Sequence, residues 1–267
     1  MTRRPPRRVV KGSWYDFPEY YDVAFMEDTV LEADFVVAGW NRFGKGRLKR
    51  ILEPGCGGGR LVRELAGRGF RMVCFDDNPK SLNYLKGRLR ERRLKAEVFT
   101  DDLADFSVSK PVDLAYCFCN TFRHLLSLDA AESHLHSIAR ALKPGGLHLL
   151  GMHIMPIDVD PEDRERWTAE RDGVKAKTDL LVHKTFPRKR QELLRITMDV
   201  DAPSERIRVQ SEVTLRLYNV HEIRRLLKRV PELELAGTCD FLYDVDDPIT
   251  LDEYTSDVVF VLRRRTE

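Results

Sequence analysis

Three acidic residues, Glu53, Asp76 and Asp102, each follow a short apolar run, and Asp76 lies 23 residues after Glu53. Between those two stands Gly55-Cys56-Gly57-Gly58-Gly59-Arg60. Glycines at a strand-to-helix junction let the backbone turn at positive φ and approach a ligand closely. The helix that opens there points free amide N–H groups at the same spot. A dinucleotide fold asks for G-x-G-x-x-G, and Arg60 occupies its third glycine position, which argues against a nicotinamide cofactor. A carboxylate at Asp76 sits near the distance at which a β-α-β unit delivers one to a ribose edge. There it can accept from both hydroxyls in a charge-assisted, bidentate contact. His124 and His153 each lie just beyond an apolar strand-like run, and imidazole titrates in the range useful for moving protons. His148, inside such a run, is expected to be structural, and Arg123 is either an anion-binding group or a surface residue.

Elements of two periods must position these groups. Runs at 51–53, 71–75, within 96–106, at 112–120 and after the turn at 143–146 read as strands. Helices are expected near 27–40, 59–68, 79–93 and 129–142, the last with Ala131, Leu135, Ile138, Ala139 and Leu142 at helical spacing. Strands alternating with helices imply a parallel sheet covered on both faces, with ligands beyond the carboxyl ends of its strands. Past Met155 the period becomes two. Leu194, Ile196, Met198 and Val200 share one strand face, and Ile207, Val209, Val213, Leu215 and Leu217 share another. Arg171-Asp172-Gly173 and Asp201-Ala202-Pro203-Ser204 supply turns, and Asp158 to Glu165 an acidic loop. This stretch reads as three or four antiparallel strands with one wet face. Helix 220–228 and strands 232–236 and 257–262 close the chain.

The glycine turn, read as acidic-x-G-x-G-x-G over Glu53–Gly59, resembles motif I of the class I S-adenosylmethionine-dependent methyltransferases. The later motifs follow in that family's order over roughly residues 45 to 153. They are Asp76 with Asp77-Asn78-Pro79, then Ala96 to Phe106, then Val112 to Asn120, then Lys143-Pro144-Gly145-Gly146. The resemblance implies a Rossmann-like, doubly wound, mostly parallel seven-stranded sheet, with an antiparallel β-sheet inserted after its fifth strand. It implies S-adenosyl-L-methionine as cofactor, with Glu53 at the methionyl ammonium and the backbone of Gly55, Cys56 and Gly57 beside the methionyl part. Asp76, with Asp77 next to it, takes the ribose. Asp102 with Leu103 takes the adenine, Asp101 being the second choice, and Cys119 with Asn120 lies near the methionyl group. Tyr15 and Tyr21 fall where family members carry tyrosines that close over the methionyl end. Catalytic candidates are His124, His153 and Tyr21.

The expected organisation is a flexible basic tail (1–13), a cofactor-binding core (14–154 and 218–267) and the antiparallel insertion (155–217) roofing the substrate site. The inserted sheet is similar to that of amino-sugar and glycine N-methyltransferase relatives. The segment after Cys119 lacks the Asn/Asp-Pro-Pro-Tyr/Phe of enzymes that methylate planar amino groups, and no Pro-Cys nucleophile is present. A formal charge of +2 gives no global field for nucleic acid. The acceptor is therefore read as O or N of a small molecule. The alternatives are an RNA or protein methyltransferase gripping through Arg3, Arg4, Arg7, Arg8 and Arg188-Lys189-Arg190, or a binding module without turnover. Hydrophobic and charged contents of 42% and 33% describe a globular protein with ample core. Five cysteines, an odd number, suit reduced thiols and a cytoplasmic location. Cys117-x-Cys119 is too closely spaced for a zinc pair, so no metal is expected. No apolar run is long enough for a membrane span. The oligomeric state is not legible.

Overall fold

A computed structural model describes residues 7–156 and 164–266. Its larger sheet has seven strands: β2 (Arg50–Pro54), β3 (Arg71–Phe75), β4 (Ala96–Phe99), β5 (Val112–Cys117), β6 (Leu142–His153), β11 (Leu233–Cys239) and β12 (Asp257–Arg264). They lie in the order β11-β12-β6-β5-β2-β3-β4. The first five in chain order pair in parallel, and β12 runs antiparallel between β6 and β11. Helices α2 (Thr29–Phe43), α3 (Arg60–Gly67), α4 (Pro79–Glu91), α5 (Leu128–Ala141) and α6 (Val220–Lys228) cover both faces. That double cover is why Val112 to Cys117 is buried at every position and reads as an unbroken apolar run.

Local chemistry marks the helix starts. Asn78 caps α4, its side chain accepting from the Lys80 N–H at 2.9 Å, and Pro79 takes the first helical position. Ser127 caps α5 in the same way, and Asn219 with Glu222 forms a capping box on α6.

The second sheet has five strands in the order β1-β10-β9-β8-β7, where β1 is Arg8–Lys11, β7 Arg164–Arg171, β8 Val174–Phe186, β9 Gln191–Asp201 and β10 Arg206–Arg216. Asp172 and Gly173 both have positive φ (51° and 76°), the conformation that a two-residue hairpin between β7 and β8 demands. The apolar faces expected on β9 and β10 are buried at Leu194, Ile196, Met198, Val200, Ile207, Val209, Val213 and Leu215.

Four features differ from the sequence expectation. Arg8–Lys11, read within a flexible tail, forms β1 and pairs in parallel with β10, a non-local contact that no local pattern reveals. Arg7 adds ion pairs to Asp199 (3.3 Å) and Asp201 (3.2 Å); residues 1–6 of the expected tail lie outside the described residues. The aromatic segment from Trp14 to Phe25, including α1 (Pro18–Ala24), was assigned to the core but packs largely against the five-stranded sheet. Strand β5 stops at Cys117, and Cys119 and Asn120 turn away at φ 52° and 64°. The expected acidic loop falls mostly on residues 157–163, outside the described residues, and Arg164 and Glu165 already belong to β7.

Candidate active site

The parallel strands end at one rim, where a cleft of about 450 Å³ opens. Gly55, Gly57 and Gly59 all have positive φ (64°, 51° and 67°), which gives the turn between β2 and α3 its tight path. A Cβ on Gly55 would stand 2.6 Å from Thr121 Cγ2, whereas one on Gly57 would meet nothing within 4 Å. Gly57 therefore borders open space, and its N–H donates to Asp76 Oδ2 at 2.7 Å. The Asn78 N–H donates to the other oxygen, Asp76 Oδ1, at 2.9 Å. The glycine turn and the end of β3 are thus fastened through one carboxylate, whose pKa burial nevertheless raises above the usual range.

Glu53, at the end of β2, accepts from the Tyr116 hydroxyl at 2.7 Å. Its burial pushes its pKa up to about 8, because removing a carboxylate from water penalises the charged form. Asp101 and Asp102 both line the cleft, Asp102 accepting from the Ala104 N–H at 2.7 Å, so the geometry leaves both as adenine partners.

Of the residues expected to hold the cofactor, Tyr15, Tyr21, Glu53, Gly55, Cys56, Gly57, Asp76, Asp77, Asp102, Leu103 and Cys119 all border this cleft. Asn120 does not. It lines an adjoining cavity of about 610 Å³ under the five-stranded sheet, where its Oδ1 accepts from the His153 N–H at 2.9 Å. Tyr15, Tyr21, Cys119 and His124 border both spaces and form the partition between them.

The three catalytic candidates differ in freedom. Burial pulls the His124 imidazole down to about 4 and pushes the Tyr15 phenol up to about 12, so both are neutral. Tyr15 Oη and His124 Nε2 share a hydrogen bond of 3.0 Å, so that ring nitrogen is already engaged. Tyr21 is held as a neutral phenol by burial, able to donate but not to serve as a base at neutral pH. His153 ends β6 on the wall of the second cavity, its Nδ1 hydrogen-bonded to Asp257. Arg123 is neither an open anion site nor a surface residue. Its guanidinium is ion-paired with Glu192 and donates to the Arg216 carbonyl at 2.9 Å, bracing the core against the inserted sheet.

Several site residues escaped the sequence reading. Arg60 counted there only as a missing glycine. It lies in the cleft wall, ion-paired with Glu32 of α2 and donating to Cys119 Sγ at 3.2 Å. Glu32 also accepts from the Tyr243 hydroxyl at 3.2 Å. No local signal marks Glu32, because an acid in an amphipathic helix ordinarily reads as solvent-facing.

This cleft fits an adenosyl sulfonium with an amino-acid tail. It offers carboxylates at three strand ends, bare backbone at the turn and a fixed cation at Arg60. A methyltransferase-domain family profile matches residues 51–146, the segment that builds the cleft's floor. Those residues are a methyltransferase domain, and the chain resembles the class I S-adenosylmethionine-dependent methyltransferases. It is 26% identical over 238 residues to the cypemycin N-terminal methyltransferase of a Streptomyces species, covering 81% of this methyltransferase and 89% of that protein. A Geobacillus protein described as a methyltransferase is 26% identical over 143 residues, 53% of this chain, and the match spans only 58% of the relative's length. The fold is also that of an S-adenosylmethionine-bound amino pentose methyltransferase from Micromonospora echinaspora. The two superpose with a TM-score of 0.69 at 16% identity, over 96% of this chain and 98% of that one. No helix among the described residues of this methyltransferase is long and apolar enough to cross a membrane.

Proposed function

We propose that this methyltransferase acts on a nitrogen or oxygen of a small molecule, with an amine as the favoured acceptor. The observation that carries the reading is the second cavity, which shares its partition with the cofactor cleft. Trp14, Phe25, Trp167 and Tyr243 give it aromatic walls, and Asp28, Glu165 and Asp257 give it carboxylates. Aromatic faces and carboxylates together suit a cationic, partly apolar guest such as an alkylammonium. The relatives that modify a peptide N-terminus and an amino pentose support an amine.

Bound S-adenosylmethionine would supply an activated methyl group on a sulfonium, so the protein's task is chiefly to orient and desolvate. Asp76 and Asp77 would hold the ribose, Asp102 or Asp101 with the Leu103 backbone the adenine, and Glu53 the methionyl ammonium. Arg60 is the cleft's permanent cation and would meet the methionyl carboxylate. Tyr15, Tyr21 and Cys119 would bound the space around the methyl group.

An RNA acceptor is disfavoured by the fate of the basic residues that would grip it. Arg7 pairs with Asp199 and Asp201, Arg8 with Glu205, and Arg190 with Glu222; Arg188 and Lys189 stay exposed, and Arg3 and Arg4 lie outside the described residues. Five free cysteines support a reducing compartment, the cytoplasm.

Calorimetric titration with S-adenosylmethionine or S-adenosylhomocysteine tests the cofactor reading. Absence of binding at high micromolar concentration overturns it. A panel of amino sugars, peptides with free N-termini, phenols and RNA, followed by S-adenosylhomocysteine release, tests the acceptor. Turnover confined to RNA would overturn the small-molecule reading, and turnover confined to phenols would overturn the amine preference.

A further inference from the structure

An amine that arrives as an ammonium must shed a proton before its nitrogen can attack, and His124 Nε2 is already engaged by Tyr15. Resting on the amine reading above, we propose that His153 and Asp257 form an imidazole–carboxylate dyad. In it, His153 Nε2 takes the acceptor's proton, and Asp257 is the positioning residue that sets the ring's tautomer.

The pairing is built into the sheet. His153 ends β6, Asp257 opens β12, and the two are directly opposed in the antiparallel ladder. Directly opposed side chains share one face of the sheet, and here His153 Nδ1 meets Asp257 Oδ1 in a short hydrogen bond. The ionised carboxylate can only accept, so the proton lies on Nδ1 and Nε2 keeps its lone pair. Two further contacts fix the ring: the His153 N–H donates to Asn120 Oδ1 at 2.9 Å, and Phe241 packs edge-on with centroids 5.0 Å apart. Asp257 is steadied in turn by the Ser256 hydroxyl at 3.3 Å. The hydrogen bond from His153 holds the Asp257 carboxyl below its ordinary pKa, which keeps it charged.

Most other charges facing this cavity are already matched. Glu32 of α2 is paired with Arg60, and the Tyr243 hydroxyl donates to it. Arg123, in the turn after β5, is paired with Glu192 of β9. His124 is neutral and bonded to Tyr15. Asp28, before α2, and Glu165 of β7 line the same cavity and add negative charge that favours an ammonium. Asp257 is the carboxylate in contact with the imidazole.

The step balances without another reactant. The N–H bond of the ammonium breaks, its electron pair stays on nitrogen, and the proton passes to Nε2. That lone pair forms the N–C bond as the C–S bond breaks with its electrons remaining on sulfur. His153 is about 40% exposed, so it can hand the proton on to solvent.

Nitrogen-resolved NMR of histidine-labelled protein, saturated with S-adenosylhomocysteine, provides the test. We expect His153 in the Nδ1–H form with a bare Nε2. In Asp257→Asn the two neutral tautomers of its ring should mix, because the amide no longer selects Nδ1–H. S-adenosylhomocysteine affinity should stay unchanged, which also reports that the variant is folded. With any amine found by the acceptor panel, the acid limb of kcat/KM should move to lower pH in Asp257→Asn and vanish in His153→Gln. An Nε2–H tautomer in the parent protein, or an unchanged tautomer ratio in Asp257→Asn, overturns the dyad. A panel without any acceptor amine counts against the amine reading instead, because the NMR result stands apart from turnover.

Discussion

Asp76 fastens the glycine turn to the end of β3, and on the proposed reading the same carboxylate also takes the ribose. Asp76→Ala removes the group proposed to accept from the ribose, and we expect S-adenosylmethionine affinity to fall by about 1.5–3 kcal/mol, the range for a hydrogen bond to a charged group. It also frees the Gly57 and Asn78 N–H groups, so Asp76→Asn should lose less; calorimetry on both variants checks the order. Glu53 gives a sharper signature. With its pKa pushed up to about 8, the carboxyl is mostly protonated at pH 7. Arrival of the methionyl ammonium would stabilise the carboxylate, so binding should release a proton and tighten as pH rises toward 8. Titrations in buffers of different ionisation enthalpy should detect that proton, and Glu53→Gln should abolish it. Without cofactor, the folded chain holds this proton more tightly than the unfolded chain between about 4.5 and 8, so Glu53 costs stability as pH rises through that window. The positions of Glu53 and Asp76 were legible because strand ends carry local signals. Their protonation was not, since burial is a property of the assembled fold.

The glycine turn illustrates how an element can carry fold and function at different residues. Gly59 lies at φ 67°, and an added Cβ would collide with Leu85 of α4. Gly57 is equally left-handed but faces open space. Gly59→Ala should therefore lower the melting temperature clearly, through backbone strain of about 1 kcal/mol plus the collision. Gly57→Ala should leave most of the stability and mainly weaken cofactor binding. Thermal melts paired with calorimetry discriminate the two, and equal effects in both assays would contradict this division. The helices and parallel strands emerged from periodicity to within a few residues, as the match of Arg71–Phe75 and the shift of α2 to Thr29–Phe43 illustrate. Arg8–Lys11 did not, because an edge strand of four residues owes its structure to β10 rather than to its own pattern. The opposition of His153 and Asp257 was hidden for the same reason: register between strands more than a hundred residues apart is set by the whole sheet.

At the scale of the molecule, the core contains two imidazoles that cannot be charged. His134 and His148 are fully buried, each bonded through Nδ1 to a carbonyl, Leu103 O and Ala115 O. Burial pulls them down to about 4 and about 3. The unfolded chain binds these protons first, so folding stability declines as pH falls from about 6.5 toward those values, a loss on the order of a few kcal/mol. We expect acid unfolding of the intact protein to set in above the usual carboxylate range, and His148→Leu to shift its midpoint to lower pH. Urea melts at pH 7 and pH 5 would measure it, and an identical pH response in the variant would refute the assignment.

The wall of Tyr15, Tyr21, Cys119 and His124 stands between cofactor cleft and acceptor cavity and belongs to both. On the proposed reading, we expect a ligand in the first chamber to complete the floor of the second, so that turnover is sequential in a compulsory order, the sulfonium entering before the amine and the spent thioether leaving last. In steady-state kinetics S-adenosylhomocysteine should then compete with S-adenosylmethionine and show mixed inhibition against the amine. The amine alone, in turn, should find no finished pocket to occupy.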